Sequence, residues 1–142
     1  MRGIRVWYWK RGYRETQVDT AGVPRGHTAV GVTFRIDEGP PTLVSKIVVK
    51  QATPLLAQRD INRSMSLAEN QAQHLIRLDT TRVFLQAQLF DQGYADAVVA
   101  TAIVIDTVTH TAAVTFPLDP QSTTPVTAIV IHANAALSAP VL

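Results

Sequence analysis

The chain has 142 residues, of which 46% are hydrophobic and 17% charged, with a formal net charge of +2. That is enough apolar material for a packed core and excludes an intrinsically disordered chain. No apolar run reaches the ~18–20 residues of a membrane-spanning helix, nothing at the N-terminus reads as a signal peptide, and the absence of cysteine excludes disulfides, thiolate zinc sites and a Cys nucleophile.

In chain order, Ile4 to Arg11 reads as the end of a helix rich in aromatics (Trp7, Tyr8, Trp9), closed by Gly12 where a left-handed conformation is needed. Residues 15–22 read as a weakly alternating strand, and Pro24-Arg-Gly26 as a turn. Val30, Val32, Phe34 and Ile36 alternate with Gly31, Thr33, Arg35 and Asp37, the pattern of a half-buried strand. Leu43 to Lys50 is a second strand, apolar on both faces at Ile47-Val-Val49 as in a central or well-covered strand. Thr53-Pro54 predicts a helix start, with Thr as cap and Pro in the first turn, running to about Asn62. Residues 63–76 read as a loop.

Asp79 is the expected N-cap of a helix that runs to Phe90, with Val83, Ala87 and Phe90 as its buried stripe, widened by Phe84 and Leu85. Gly93 closes that helix. Ala97–Asp106 and Thr111–Asp119 predict a hairpin turning near 107–110, residues 120–125 a linker, and Val126–His132 a last strand. Pro117 falls inside a strand, where it removes a ladder donor, so it is expected at an unpaired side or a bulge.

The sequence repeats itself once. Gly12-Tyr13 maps onto Gly93-Tyr94 at an offset of 81, and Thr33-Phe34 onto Thr115-Phe116 and Ile47 onto Ile129 at 82. A unit of about 80 residues is too long for a solenoid repeat and fits small domains in tandem. The element order, from Leu43, is strand, helix, helix, strand, strand. The expected organisation is α+β: residues 1–42 are the C-terminal half of one unit (helix, strand, strand), 43–120 a complete unit, and 126–142 the first strand of a following one.

This order resembles the polypeptide-transport-associated (POTRA) domain. The residues that carry the resemblance are Tyr8-Trp-Lys-Arg-Gly12-Tyr13, then Val32-Thr-Phe34-Arg-Ile36-Asp-Glu38-Gly39, and a second time Leu89-Phe-Asp-Gln-Gly93-Tyr94, then Val114-Thr-Phe116-Pro-Leu118-Asp119. Pro120-Gln121 stands where the first copy has Glu-Gly, and Lys50-Gln-Ala52 and His132-Ala-Asn134 stand where the family has a Gly-Asn turn. The resemblance implies tandem β-α-α-β-β domains, each a three-stranded mixed sheet covered by two helices. It implies a place on the periplasmic side of an outer-membrane β-barrel assembly factor of the BamA and TamA type, anchored through a barrel not contained here. It implies unfolded outer-membrane proteins or accessory subunits as partners, no cofactor and no enzymatic activity. Binding would be by β-augmentation. The implied edge is the strand after the second helix, at Ala97, Val98, Val99, Ala100, Ala102 and Val104. It carries neither Pro nor Lys, the residues that usually blunt an edge.

Other chemistries find little footing. His27, His74, His110 and His132 have no metal-type spacing. Asp37 and Glu38 are adjacent on a strand and point to opposite faces, so they do not form a carboxylate pair. Ser45, Ser64, Ser66, Ser122 and Ser138 lack a nucleophile elbow, and Gly22-Val-Pro-Arg-Gly26 lacks the Lys-Ser/Thr of a phosphate loop. One alternative function remains: ten of the thirteen Lys and Arg lie in residues 1–60, and Trp7-Tyr-Trp-Lys-Arg11 interleaves aromatics with cations as in a nucleic-acid-binding module. The competing reading of that patch is a helix packed on its sheet, with cations complementing its C-terminal dipole.

Overall fold

Thr111–Asp119 alternates without interruption, and in the computed structural model it becomes the central strand around which the larger part of the chain is built. The structure describes residues 2–121 and 125–130. Helix α1 spans Arg2–Lys10 and is followed by a two-stranded antiparallel hairpin, β1 (Gln17–Arg25) and β2 (Ala29–Asp37). Then come β3 (Leu43–Lys50), α2 (Gln58–Ser64), α3 (Leu75–Asp91), β4 (Val98–Val99), β5 (Ala102–Asp106) and β6 (Thr111–Asp119). β6 pairs in parallel with β3 on one side and antiparallel with β4 and β5 on the other. The fold is α+β: a mixed sheet with α2 and α3 over one face.

The core lies between that face and the helices. Ala112, Val114, Phe116 and Leu118 of β6 are buried in strict alternation, with Val44 of β3, Val99 of β4, Leu78, Leu85 and Leu89 of α3, and Leu56, Ile61 and Leu67 around α2. Thr81 is fully buried with them; its Oγ1 donates to the Arg77 carbonyl (2.9 Å) and accepts from the Ser66 N–H (3.0 Å), so the hydroxyl is satisfied.

Several expectations are corrected. The buried stripe of α3 is Leu78, Thr81, Leu85 and Leu89, whereas Val83, Phe84, Ala87 and Phe90 face outward. Both stripes have helical spacing, and the sheet's position selects between them. The helix begins at Leu75, so Asp79 is not its cap; it pairs with Arg82 on the helix surface at 2.8 Å. Thr53-Pro54 does not start α2. The Gln51 Oε1 accepts from the N–H groups of Leu55 and Leu56 (both 3.1 Å), which holds this stretch as a loop until Gln58. β3 is an edge strand and not a central one.

The alternation of β2 is present, but its apolar face is open. Phe34 is 47% exposed while its repeat mate Phe116 is 0% exposed, because α1 meets the hairpin at β1 and no described element covers the apolar row of β2 as α2 and α3 cover the sheet. Val126–Val130, expected in a strand, lies outside any strand, and the rest of that segment lies outside the described residues.

Pro117 faces neither an unpaired side nor a bulge. The pairs Val98↔Asp119, Val99↔Leu118 and Ala102↔Thr115 follow one unbroken register, so β4 and β5 are one strand line with a gap. The Ala100 N–H donates to the Pro117 carbonyl (3.2 Å), so the two residues face each other. Pro117 has no N–H to return to the Ala100 carbonyl, and the ladder opens at residues 100–101.

Candidate functional site

The sheet has two outer edges, and the chain treats them differently. The β3 edge is guarded. The Val44 N–H donates to the Gln71 carbonyl (2.8 Å), the Val44 carbonyl accepts from the Asn70 N–H (2.7 Å), and the Ile47 N–H donates to the Glu69 carboxylate (3.1 Å). A loop thus occupies the outward groups of the first half of β3, from Val44 to the Ile47 N–H. Beyond it, a cleft of ≈ 380 Å³ lies between β3 and α2, lined by Ile47, Val49, Ile61 and Met65 among others.

The β4–β5 edge is open. Since the N–H and C=O of Ala100 point toward β6, strand alternation turns those of Val99, Thr101, Ile103 and Ile105 outward. Among the described residues no backbone group pairs with them. The side chains of Val98, Ala100, Ala102 and Val104 form an exposed apolar row on the uncovered face, with Val104 71% exposed, while Val99 is buried on the core face.

Ala97 does not belong to this edge. It is buried ahead of β4, its N–H donates to the Tyr94 carbonyl (3.2 Å), and its own carbonyl accepts from Gln86 Nε2 (3.1 Å). Gln86 of α3 thus anchors the start of the edge. Sequence reasoning missed it, as it missed Glu69 and Gln71, because their partners are backbone groups distant in sequence.

Four motif residues of the first copy, Gly12, Tyr13, Glu38 and Gly39, lie at a second place, the seam where the α1–β1 turn meets the β3 unit, whereas Gly93, Tyr94 and Phe116 lie at the end of α3 and in the core. Gly12 adopts φ +96, and its carbonyl accepts from the Thr42 N–H (2.8 Å), while the Thr42 carbonyl accepts from the Gln73 N–H (2.8 Å). A Cβ at Gly12 would stand 2.8 Å from the Gln73 carbonyl oxygen; at Gly93, with φ +94, it would meet nothing within 4 Å. Tyr13 packs edge-on against Tyr8 at 5.9 Å, Tyr94 packs against the core, and Arg14 donates to the side chain of Gln73 (3.1 Å). Gly39, at φ +66, lets the chain pass Glu15, and the Thr16 hydroxyl lies 3.1 Å from the Glu38 carbonyl. Hydrogen bonding to Glu38 holds the Tyr8 hydroxyl above its ordinary pKa. Burial, with Arg11 and Arg77 nearby, lowers that of His74, whose Nδ1 is buried without a partner.

The basic aromatic patch is occupied by its own cations. The Arg11 guanidinium sits 3.6 Å from the Trp7 ring centroid and that of Arg14 5.3 Å from Trp9, so each arginine is engaged with one face of a tryptophan of its own chain. Among the described residues no group of three His, Cys, Asp or Glu is placed to hold a metal, and no helix is long and apolar enough to cross a membrane.

No protein-family model matches this chain, and no curated protein does. Solved structures do. The crystal structure of BamA POTRA3–5 from Haemophilus influenzae superposes with a TM-score of 0.54 at 22% identity, covering 86% of this chain and 49% of that one. BamA from Haemophilus ducreyi lacking POTRA domains 1–3 superposes with a TM-score of 0.50 at 18% identity, covering 82% of this chain and 21% of that one. The chain thus spans about half of the first of these two structures and about a fifth of the second. With the strand order, the two helices on one face and the glycine-closed helix already described, these superpositions establish that the chain has the POTRA fold.

Proposed function

We propose that the chain is a periplasmic binding module of an outer-membrane β-barrel assembly factor, and that it takes an extended segment of an unfolded outer-membrane protein, or of an accessory subunit, onto the open β4–β5 edge. The observation that carries this reading is the difference between the edges: residues 69–72 cap the first half of β3, from Leu43 to Ile47, whereas along the whole of the other edge Val99, Thr101, Ile103 and Ile105 present N–H and C=O groups that no described residue uses. Main-chain pairing is nearly blind to side chains, which suits a handler of many clients. The exposed apolar row of Val98, Ala100, Ala102 and Val104 continues the sheet face on which alternating apolar side chains of a barrel strand would rest. In this reading residues 1–42 are the back half of one POTRA unit, 43–120 a complete unit and 126–142 the start of another. The role is binding and not catalysis.

The test is a titration of the labelled chain with a peptide from a barrel strand, followed by NMR. Shifts should concentrate at 98–105 and disappear in Thr101→Pro, which removes an outward donor without removing a bond to β6. Shifts that centre on β3 and α2, or an unchanged affinity in Thr101→Pro, would overturn the assignment.

A further inference from the structure

The half of β3 that the loop leaves uncapped, from Ile47 to Lys50, is the half that borders a cleft. The Ile47 N–H points outward, to Glu69, so strand alternation turns the Ile47 carbonyl and the Val49 N–H and carbonyl outward too. Among the described residues no backbone group pairs with these three. Beside them lies the ≈ 380 Å³ cleft, with Ile47, Val49, Ile61 and Met65 as apolar wall and Gln58 and Asn62 on the α2 side. Its openness does not come from the ends of the chain. One unit meets the next where Arg14 and Glu15 reach Gln73 (3.1 Å) and His110 (3.8 Å). The repeat counterparts of Arg14 and Glu15 are Ala95 and Asp96, beyond α3. The cleft lies on neither of these surfaces.

The two sides of the sheet also differ in charge. Between Leu43 and Met65 stand Lys46, Lys50, Arg59 and Arg63 against the single acid Asp60, which lies 3.6 Å from Arg59. Residues 95–121, which form the opposite side, hold Asp96, Asp106 and Asp119 and neither Lys nor Arg. Among the described residues Lys46, Lys50 and Arg63 make no ion pair. Ile47 and Val49 pack toward the core, so Lys46 and Lys50 stand on the other face of the sheet. The chain's own cap shows the preference of this edge, since a carboxylate, that of Glu69, takes the Ile47 N–H.

We propose that the uncapped half of β3 and its cleft form a second binding edge, for a short extended segment of another protein in which apolar side chains alternate with carboxylates. A strand laid on Val49 places successive side chains on the two faces of the sheet. Those on the helix side enter the cleft against Ile61 and Met65, and those on the other side come beside Lys46 and Lys50. The acids around β4–β5 disfavour the same segment there, so the two edges select different partners. Few backbone groups are free to pair and the lysines are exposed, so the complex is weak and sensitive to salt. The proposal rests on this edge alone and not on client binding at β4–β5.

The probes are two end-capped peptides, one alternating glutamate with valine and the other lysine with valine, each titrated into the labelled full chain and followed by NMR. The glutamate peptide should shift residues 47–50 and 58–65, and the lysine peptide should bind severalfold more weakly. Raising the salt from about 0.1 M to about 1 M, which shortens the screening length from about 10 Å to about 3 Å, should weaken the glutamate peptide and bring the two together. Lys46→Glu combined with Lys50→Glu, both at exposed positions, should reverse the preference, a gain for the lysine peptide that loss of folding cannot imitate. Asn62→Trp, also at an exposed position, should fill the cleft and remove both peptides with circular dichroism unchanged. Thr101→Pro should leave the binding intact. Equal affinity for the two peptides at low salt, a preference that the double variant does not reverse, or shifts centred on 98–105 overturns the proposal.

Discussion

Gly12 and Gly93 close equivalent helices with nearly the same dihedral, φ +96 and +94, yet the structure predicts very different costs for replacing them. An L-residue in the left-handed region costs about 1–2 kcal/mol, and Gly93→Ala should cost only that, because a Cβ there meets nothing within 4 Å. At Gly12 the same Cβ would press on the Gln73 carbonyl oxygen at 2.8 Å, the Gln73 nitrogen at 3.0 Å and the Thr42 carbonyl oxygen at 3.3 Å. All three are backbone atoms and cannot rotate away. Relief requires the seam to open, which puts at risk the bonds from the Thr42 N–H to the Gly12 carbonyl and from the Gln73 N–H to the Thr42 carbonyl, each 2.8 Å long. At about 0.5–1.5 kcal/mol per bond, Gly12→Ala should cost about 2–5 kcal/mol in all. Asparagine separates the two terms, since it tolerates the left-handed region but carries a Cβ. Gly93→Asn should be close to neutral and Gly12→Asn should remain destabilising. Urea denaturation followed by circular dichroism, and by the fluorescence of Trp7 and Trp9 on α1, reads both. Equal losses at the two glycines, or rescue of Gly12 by asparagine, would refute the argument that the seam and not the dihedral sets the requirement.

Two further outcomes are expected. Leu85→Ala should cost about 2–5 kcal/mol, since Leu85 is fully buried, while Val83→Ala, two residues earlier on the exposed stripe, should change stability by roughly 0.5 kcal/mol or less; thermal melts in which Val83 proved the costlier would show that the wrong face of α3 has been taken as the core. His74 is held below its ordinary value of 6.5, first by burial and then by Arg11 and Arg77. The unfolded chain therefore binds the proton more readily, so the contribution of His74 is present above about pH 6.5 and is lost as pH falls through that value. Denaturation midpoints should drop on acidification from pH 7 to 5, and His74→Gln should flatten that drop; an identical pH profile in the variant would count against it.

The sequence by itself determined the elements that are written locally. The alternation of Thr111–Asp119 buries Ala112, Val114, Phe116 and Leu118 as the period requires, and the Gly-Tyr pairs mark the ends of α1 and α3 because a positive φ selects glycine. The repeat gives the POTRA order, since two copies of the same spacing constrain each other. What the tertiary structure alone decided is which of several equivalent surfaces meets another. α3 carries two apolar stripes, and only the position of the sheet makes Leu78, Leu85 and Leu89 the core and leaves Val83 and Phe90 outside. β2 and β6 share a pattern, yet one is exposed and the other buried, because burial belongs to the pair and not to the strand. The guarded and open edges of the sheet rest on Glu69, Gln71 and Gln86 reaching backbone groups distant in sequence, and on Pro117 withholding one hydrogen bond. Local periodicity fixes dihedrals and spacing; long-range packing then chooses among the faces and edges that this periodicity leaves equivalent.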